Sequence, residues 1–177
     1  VLPRYWVLAD EVSRELAGKW IRGWLLGWRD ITNATNERTV IAAVFPTVGV
    51  GNNLPVMVLG ERTIPFAGCL LACLSSFVLD YVSRHKVGGT HLNFFIYQQL
   101  AVLPPKTYVT PAPWALAESL REWTTSRVLE LVYTSWDLED FGKDCGYHGA
   151  AFHWDEDRRF LIRCELDAAF FHLYGIS

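Results

Sequence analysis

The chain has 177 residues, 51% of them hydrophobic and 20% charged, with 8 Trp, 7 Tyr and 10 Phe. That is enough apolar material for one packed domain, or one domain with a helical appendage, and it excludes an intrinsically disordered chain. The net charge of −3 hides a division: residues 1–110 carry 10 Lys/Arg against 7 Asp/Glu, whereas residues 111–177 carry 6 against 12.

A helix is predicted over 6–19. An aromatic run at 20–31 lacks a helical stripe and reads as a strand. The polar stretch Thr32-Asn33-Ala34-Thr35-Asn36-Glu37 reads as a turn. A second strand follows over 38–45, β-branched and apolar, predicted to be buried on both faces. A loop with Gly49, Gly51, Asn52 and Asn53 leads to a third strand at 55–59.

One long helix is predicted over 66–85, closed by Arg84, His85 and Lys86 and then by Gly88-Gly89. Pro104-Pro105 marks a linker. Beyond it, helices are predicted over 114–133, 136–145 and 155–174. In the last, Phe160, Leu161, Cys164, Ala168 and Phe171 share one face, taken as the packing face. Asp155–Arg159 and Arg163–Asp167 are spaced as outer ion pairs. Trp20, Trp24 and Trp28, four residues apart, are expected in the core or at an interface rather than stacked on bases. The pattern predicts an α/β (α+β) fold: a small mixed sheet packed by helices over 1–110, then a mainly helical part over 111–177.

No run approaches the roughly 18 apolar residues of a membrane span, so no membrane partner is expected. The start, Val1-Leu2-Pro3, has neither Met nor a signal-peptide layout, so the chain is expected to be a piece of a longer protein. Cys69 and Cys73 sit one helical turn apart in an apolar run and are expected as core thiols. No disulfide framework is visible, which fits a reducing cytoplasm.

Catalytic patterns are missing. The lone Pro-Pro, Leu103-Pro104-Pro105-Lys106, lacks the acidic, Asn or Ser residue and the aromatic that flank a base-clamping loop. Gly49-Val50-Gly51 does not open a helix, as a nucleotide-binding turn would. None of the four lysines follows a carboxylate at the metal-nuclease spacing. Cys145, His148, His153 and Cys164 are zinc-ligand types, but ordinary loop histidines with a packed thiol account for them better. No catalytic residue, no metal and no cofactor is expected in this chain.

Three segments carry a resemblance. The first is Trp24-Leu25-Leu26-Gly27-Trp28-Arg29-Asp30-Ile31 followed by Thr35-Asn36-Glu37-Arg38-Thr39-Val40-Ile41-Ala42-Ala43. The second is Leu71-Ala72-Cys73-Leu74-Ser75-Ser76-Phe77-Val78-Leu79-Asp80-Tyr81, running into Lys86-Val87-Gly88-Gly89-Thr90-His91-Leu92-Asn93 and then Gln98-Gln99-Leu100-Ala101-Val102-Leu103-Pro104. The third is Trp154-Asp155-Glu156-Asp157-Arg158-Arg159 with Glu165-Leu166-Asp167-Ala168-Ala169-Phe170 and Leu173-Tyr174-Gly175. In this order they resemble the C-terminal part of Eco57I-type (type IIG-like) restriction–modification enzymes and related adenine-specific DNA methyltransferases. The chain departs from that pattern at Ser75, where Asn is usual, and at Ala101, where Pro is usual.

The resemblance implies a target-recognition domain over 1–110 and a helical extension over 111–177. It implies double-stranded DNA as partner, and a separate methyltransferase catalytic domain or subunit that would hold S-adenosylmethionine. This fragment is then a non-catalytic reader within bacterial defence. The alternative is a protein–protein docking module without direct DNA reading.

The residues themselves point to two candidate contacts. Arg29 and Arg38 flank a turn rich in Thr and Asn, which can offer donors and acceptors to base edges or phosphates. The competing role is bracing, with Arg29 paired to Asp30 or Glu37. The loop at 84–93 combines Arg84, Lys86 and His91 with two glycines and with Thr90 and Asn93. Its competing role is a helix end with solvated charges, with Asn93 satisfying backbone groups.

Overall fold

The computed structural model describes residues 5–176. Helix α1 (Ala9–Leu16) is shorter than predicted and buries none of its residues. Asp10 and Glu11 at its start and Arg14 at its end suit the helix dipole. Gly18, at φ +71°, turns the chain away.

Strands β1 (Trp24–Trp28), β2 (Ala42–Pro46) and β3 (Val56–Met57) form a sheet in the order β2-β1-β3. Every pairing is antiparallel, so the mixed sheet of the sequence reading is corrected to an antiparallel one. Central β1 is buried along its whole length. Strand β2 is only partly covered, not buried on both faces. It also starts late, for a physical reason. The Thr39 and Val40 N–H groups donate to Asp80 Oδ1 at 2.6 and 3.0 Å, not to a neighbouring strand. Gly27 lets the strands meet: a Cβ there would lie 2.6 Å from the Pro55 carbonyl oxygen.

The three tryptophans are core residues, as expected. Trp24 meets Trp20 and Phe141 edge-on at 5.0 and 5.1 Å, and its Nε1 donates to Asp144 Oδ2 at 2.8 Å. Trp28 stacks on Tyr97 at 3.9 Å. Such pairs add about 0.5–1.5 kcal/mol beyond burial.

The single helix predicted over 66–85 is two, α2 (Ala67–Ser75) and α3 (Phe77–Lys86), after a short 3-10 turn at Glu61–Phe66. Ser76 breaks them. Its backbone is extended, at φ −71° and ψ 149°, and its Oγ accepts from Leu79 N to cap α3. No single helix among the described residues is long and apolar enough to cross a membrane; the stretches Glu61–Ser75 and Phe77–Lys86 pass that test only together, and they are bent by 63°. The one-turn α4 (Phe94–Tyr97) is capped by Asn93, whose Oδ1 accepts from Ile96 N at 3.1 Å.

A hairpin, β4 (Pro111–Ala112) and β5 (Ala115–Ser119), occupies the start of the helix predicted at 114. The helix proper, α5 (Leu120–Val132), begins at a capping box: Ser119 Oγ accepts from Glu122 N, and Glu122 Oε2 from Ser119 N. Then come α6 (Glu139–Asp144) and α7 (Glu156–Leu173). Helix α2 packs on α5, and α7 packs on both α5 and α3. One hydrophobic core therefore runs through Trp24, Leu74, Leu79, Trp123, Phe141 and Phe170.

Helix α7 overturns the face predicted for it. Its buried residues are Ile162, Leu166, Ala169 and Phe170. The stripe of Phe160, Leu161, Cys164, Ala168 and Phe171 faces outward. The expected outer ion pairs are absent among the described residues: Arg159 Nη1 donates to the Leu131 carbonyl at 2.7 Å, and Asp167 accepts from Phe77 N at 2.8 Å.

Candidate nucleic-acid interface

The chain leaves β1 at Trp28 and runs beside the loop that follows α3. Ile31 and His91 form an antiparallel bridge. Thr32 N donates to the Thr90 carbonyl at 2.9 Å, and Leu92 N to the Asp30 carbonyl at 2.8 Å. Trp28 Nε1 donates to the Leu92 carbonyl at 2.8 Å. A third segment joins them: Asp30 N donates to the Asn53 carbonyl at 2.9 Å. The two loops singled out in sequence thus meet, 60 residues apart, because β1 delivers one directly against the other.

Between the three segments lies an open cleft of about 420 Å³, lined by Arg29, Ile31, Thr32, Asn33, Asn36, Asn53 and Thr90. Arg29 is exposed and has no ion pair among the described residues, so the expected bracing by Asp30 or Glu37 is not formed. With its amide oxygen turned inward, Asn36 accepts from Arg29 Nη2 at 3.2 Å and from Thr32 Oγ1 at 3.2 Å. Asn33 Oδ1 accepts from the Thr35 N–H and hydroxyl at 2.9 and 2.6 Å, which fixes the turn as an Asx turn.

The other candidates divide. Thr90 lines the cleft. Lys86 is exposed at the end of α3. His91 is exposed beside the bridge, with Nδ1 2.6 Å from Asp30 Oδ2. Asn93 is an exposed helix cap, the structural role weighed for it.

Arg38 and Arg84 are half-buried and turned back on the fold instead. Arg38 lies over the Phe77 ring at 3.7 Å, with Nη2 3.6 Å from Asp167 Oδ2. It packs on α3 and α7, away from the cleft. Arg84 Nε donates to Asp80 Oδ2 at 2.8 Å, while its two Nη groups donate to the carbonyls of Ala34 (3.0 Å) and Glu37. Its guanidinium clamps the 32–37 turn from behind. Both therefore spend guanidinium groups within the fold rather than in the cleft, Arg38 on Phe77 and Asp167 and Arg84 on Asp80 and the carbonyls of the turn.

Sequence reasoning missed Asn33, Asn36 and Asn53 as individual site residues. The first two lay within a stretch read only as a turn. Asn53 carried no local signal, since tertiary contact alone brings it to the cleft.

Chemically the cleft offers amides, two threonine hydroxyls and one guanidinium. Such a set recognises base edges, Asn pairing in two-pronged fashion with adenine and Arg with guanine. Burial pushes the Cys69 thiol up to about 12, and loss of hydration does the same for Cys145, so both stay protonated at neutral pH. Among the described residues, no three His, Cys, Asp or Glu side chains come together to hold a metal ion. No protein-family model matches the sequence, and no curated protein or solved structure matches the chain.

Proposed function

We propose that this chain is the non-catalytic DNA target-recognition part of a restriction–modification methyltransferase. The observation that supports it most is the convergence of Arg29, Asn33, Asn36, Asn53 and Thr90, from three separated segments, on one open cleft. Arg29 would read or anchor the duplex, with the amides aligned to base edges. Lys86 and His91, exposed on the flanking loop, would meet phosphates. In this reading a separate catalytic domain holds S-adenosylmethionine and transfers the methyl group, and this chain supplies no residue to that step.

The test is a salt-titrated binding assay of the 177-residue chain with random duplex DNA. The expected result is binding that weakens linearly with log salt, and an Arg29→Ala variant whose slope is shallower by about one. Binding unaffected by Arg29→Ala at every salt concentration would overturn the assignment of the cleft.

A second reading, a docking module, is favoured by a different observation: the apolar stripe of α7 that faces solvent.

A further inference from the structure

Helix α7 is apolar on two opposite faces. One is the core face of Ile162, Leu166, Ala169 and Phe170. On the other, Phe160 is 59% exposed, Leu161 54% and Phe171 38%. The outward positions 161, 164, 168 and 171 follow a 3-4-3 spacing, the seam of a helix that packs along a second helix. Small residues, Cys164 and Ala168, sit mid-stripe, and large ones at its ends. That order lets two helix axes approach closely at the centre while the ends fill the flanks.

The stripe runs into a groove of about 660 Å³ between α3 and the end of α7, lined mainly by Phe77, Val78, Tyr81, Val82, Phe171 and Ile176. Asp80 and Arg84 border it, but they are paired with each other. Phe77 and Tyr81 are 52% and 65% exposed.

We infer that this face is a two-fold interface between two copies of the chain, with α7 antiparallel to its mate. Three observations select a second copy. The first is position. Phe160 lies on the same side of α7 as Asp167, seven residues on, and Asp167 touches α3 through Phe77 N. A two-fold axis across the helices exchanges their ends but keeps each residue on its side. Phe160 of one copy therefore arrives at the far end of the other, over the Phe77–Tyr81–Phe171–Ile176 groove. The second is size: Phe160 is an exposed ring and the groove of about 660 Å³ is apolar and open, so each copy carries both halves of a contact that a two-fold would repeat at either end. The third is charge. Asp155, Glu156 and Asp157 are exposed where α7 begins. His85, Lys86 and His172 are exposed where α3 and α7 end. Antiparallel pairing sets each acidic start against the other copy's basic end.

This inference gives the docking reading a specific partner; it shares only Lys86 with the DNA reading, whose cleft is formed by other residues. It is tested by sedimentation velocity on the 177-residue chain and on Phe160→Glu, with circular dichroism as a check on folding. The expected result is a dimer that Phe160→Glu weakens at least about tenfold, as for an aromatic anchor seated in an apolar pocket. A short bismaleimide should also trap the dimer through Cys164 near the two-fold, and Cys164→Ser should abolish trapping without dissociating the dimer. A chain that stays monomeric throughout the micromolar range overturns the proposal, and so does a dimer insensitive to Phe160→Glu. The DNA reading is decided separately, by Arg29→Ala in either oligomeric state.

Discussion

Arg84 Nε donates to Asp80 Oδ2 at 2.8 Å, while the other oxygen of that buried carboxylate takes the backbone N–H groups of Thr39 and Val40. One carboxylate thereby ties α3 to the segment entering β2. Asp80→Ala strands two buried donors, each worth about 1–3 kcal/mol. The expected loss is about 3 kcal/mol or more in urea unfolding. Asp80→Asn, which keeps an acceptor, should lose less.

Arg84 and Lys86 are two residues apart and should behave differently. Arg84→Ala releases the carbonyls of Ala34 and Glu37, so it should lower the unfolding midpoint by an amount worth about 1–2 kcal/mol. Lys86→Ala should leave the midpoint in place and reduce the salt dependence of DNA binding, by about one in slope. Equal thermal shifts for the two variants would contradict the clamp.

Within the cleft, an amide and a guanidinium should also separate. Asn53→Ala removes a neutral group, so it should change preference among duplex sequences by about 1–3 kcal/mol at one position and leave the salt slope unaltered. Competition among duplexes of varied sequence measures this directly.

Gly27→Ala couples the fold to the cleft. The added methyl would meet the Pro55 carbonyl oxygen at 2.6 Å and the Phe45 ring at 3.3 Å. The expected penalty is about 1–3 kcal/mol. Because Pro55 and Asn53 share one short loop, DNA binding should weaken with it, more than the same loss of stability elsewhere would cause.

The thiols give a pH signature. The unfolded chain ionises its cysteines near the ordinary value of about 8.5, whereas burial holds the Cys69 thiol up to about 12. Between those values the unfolded state binds fewer protons, so stability should fall as pH rises above about 8.5 and be independent of these groups below it. A disulfide reagent at pH 8 should label exposed Cys164 quickly in the native monomer and buried Cys69 and Cys73 only after unfolding.

Much of the fold was legible because periodicity reports burial. Central β1 and the core tryptophans followed from it. The break at Ser76 did not, because both halves of 66–85 continue one apolar pattern, and a capping hydroxyl rather than a glycine or proline divides them. Helix α7 misled for the opposite reason: two apolar stripes compete, and spacing alone cannot say which one meets the core. Of the residues chosen from sequence, Arg29 and Thr90 line the cleft, because the 29–39 and 84–93 segments meet there. The packing of Arg38 was invisible, since Asp167 lies 129 residues away; the i,i+4 pair of Arg84 with Asp80 has a readable spacing, but its grip on the carbonyls of Ala34 and Glu37, 50 and 47 residues away, has none.

The clamp behind the 32–37 turn also bears on how selective the cleft can be. Arg84 grips two of its carbonyls, and Asn33 locks its bend from within. A binding loop fixed before its ligand arrives forfeits little conformational entropy on contact. It also adapts poorly, so a mismatched edge leaves its amides unpaired rather than rearranged. Rigidity of this kind favours discrimination between similar ligands over tight binding to all of them.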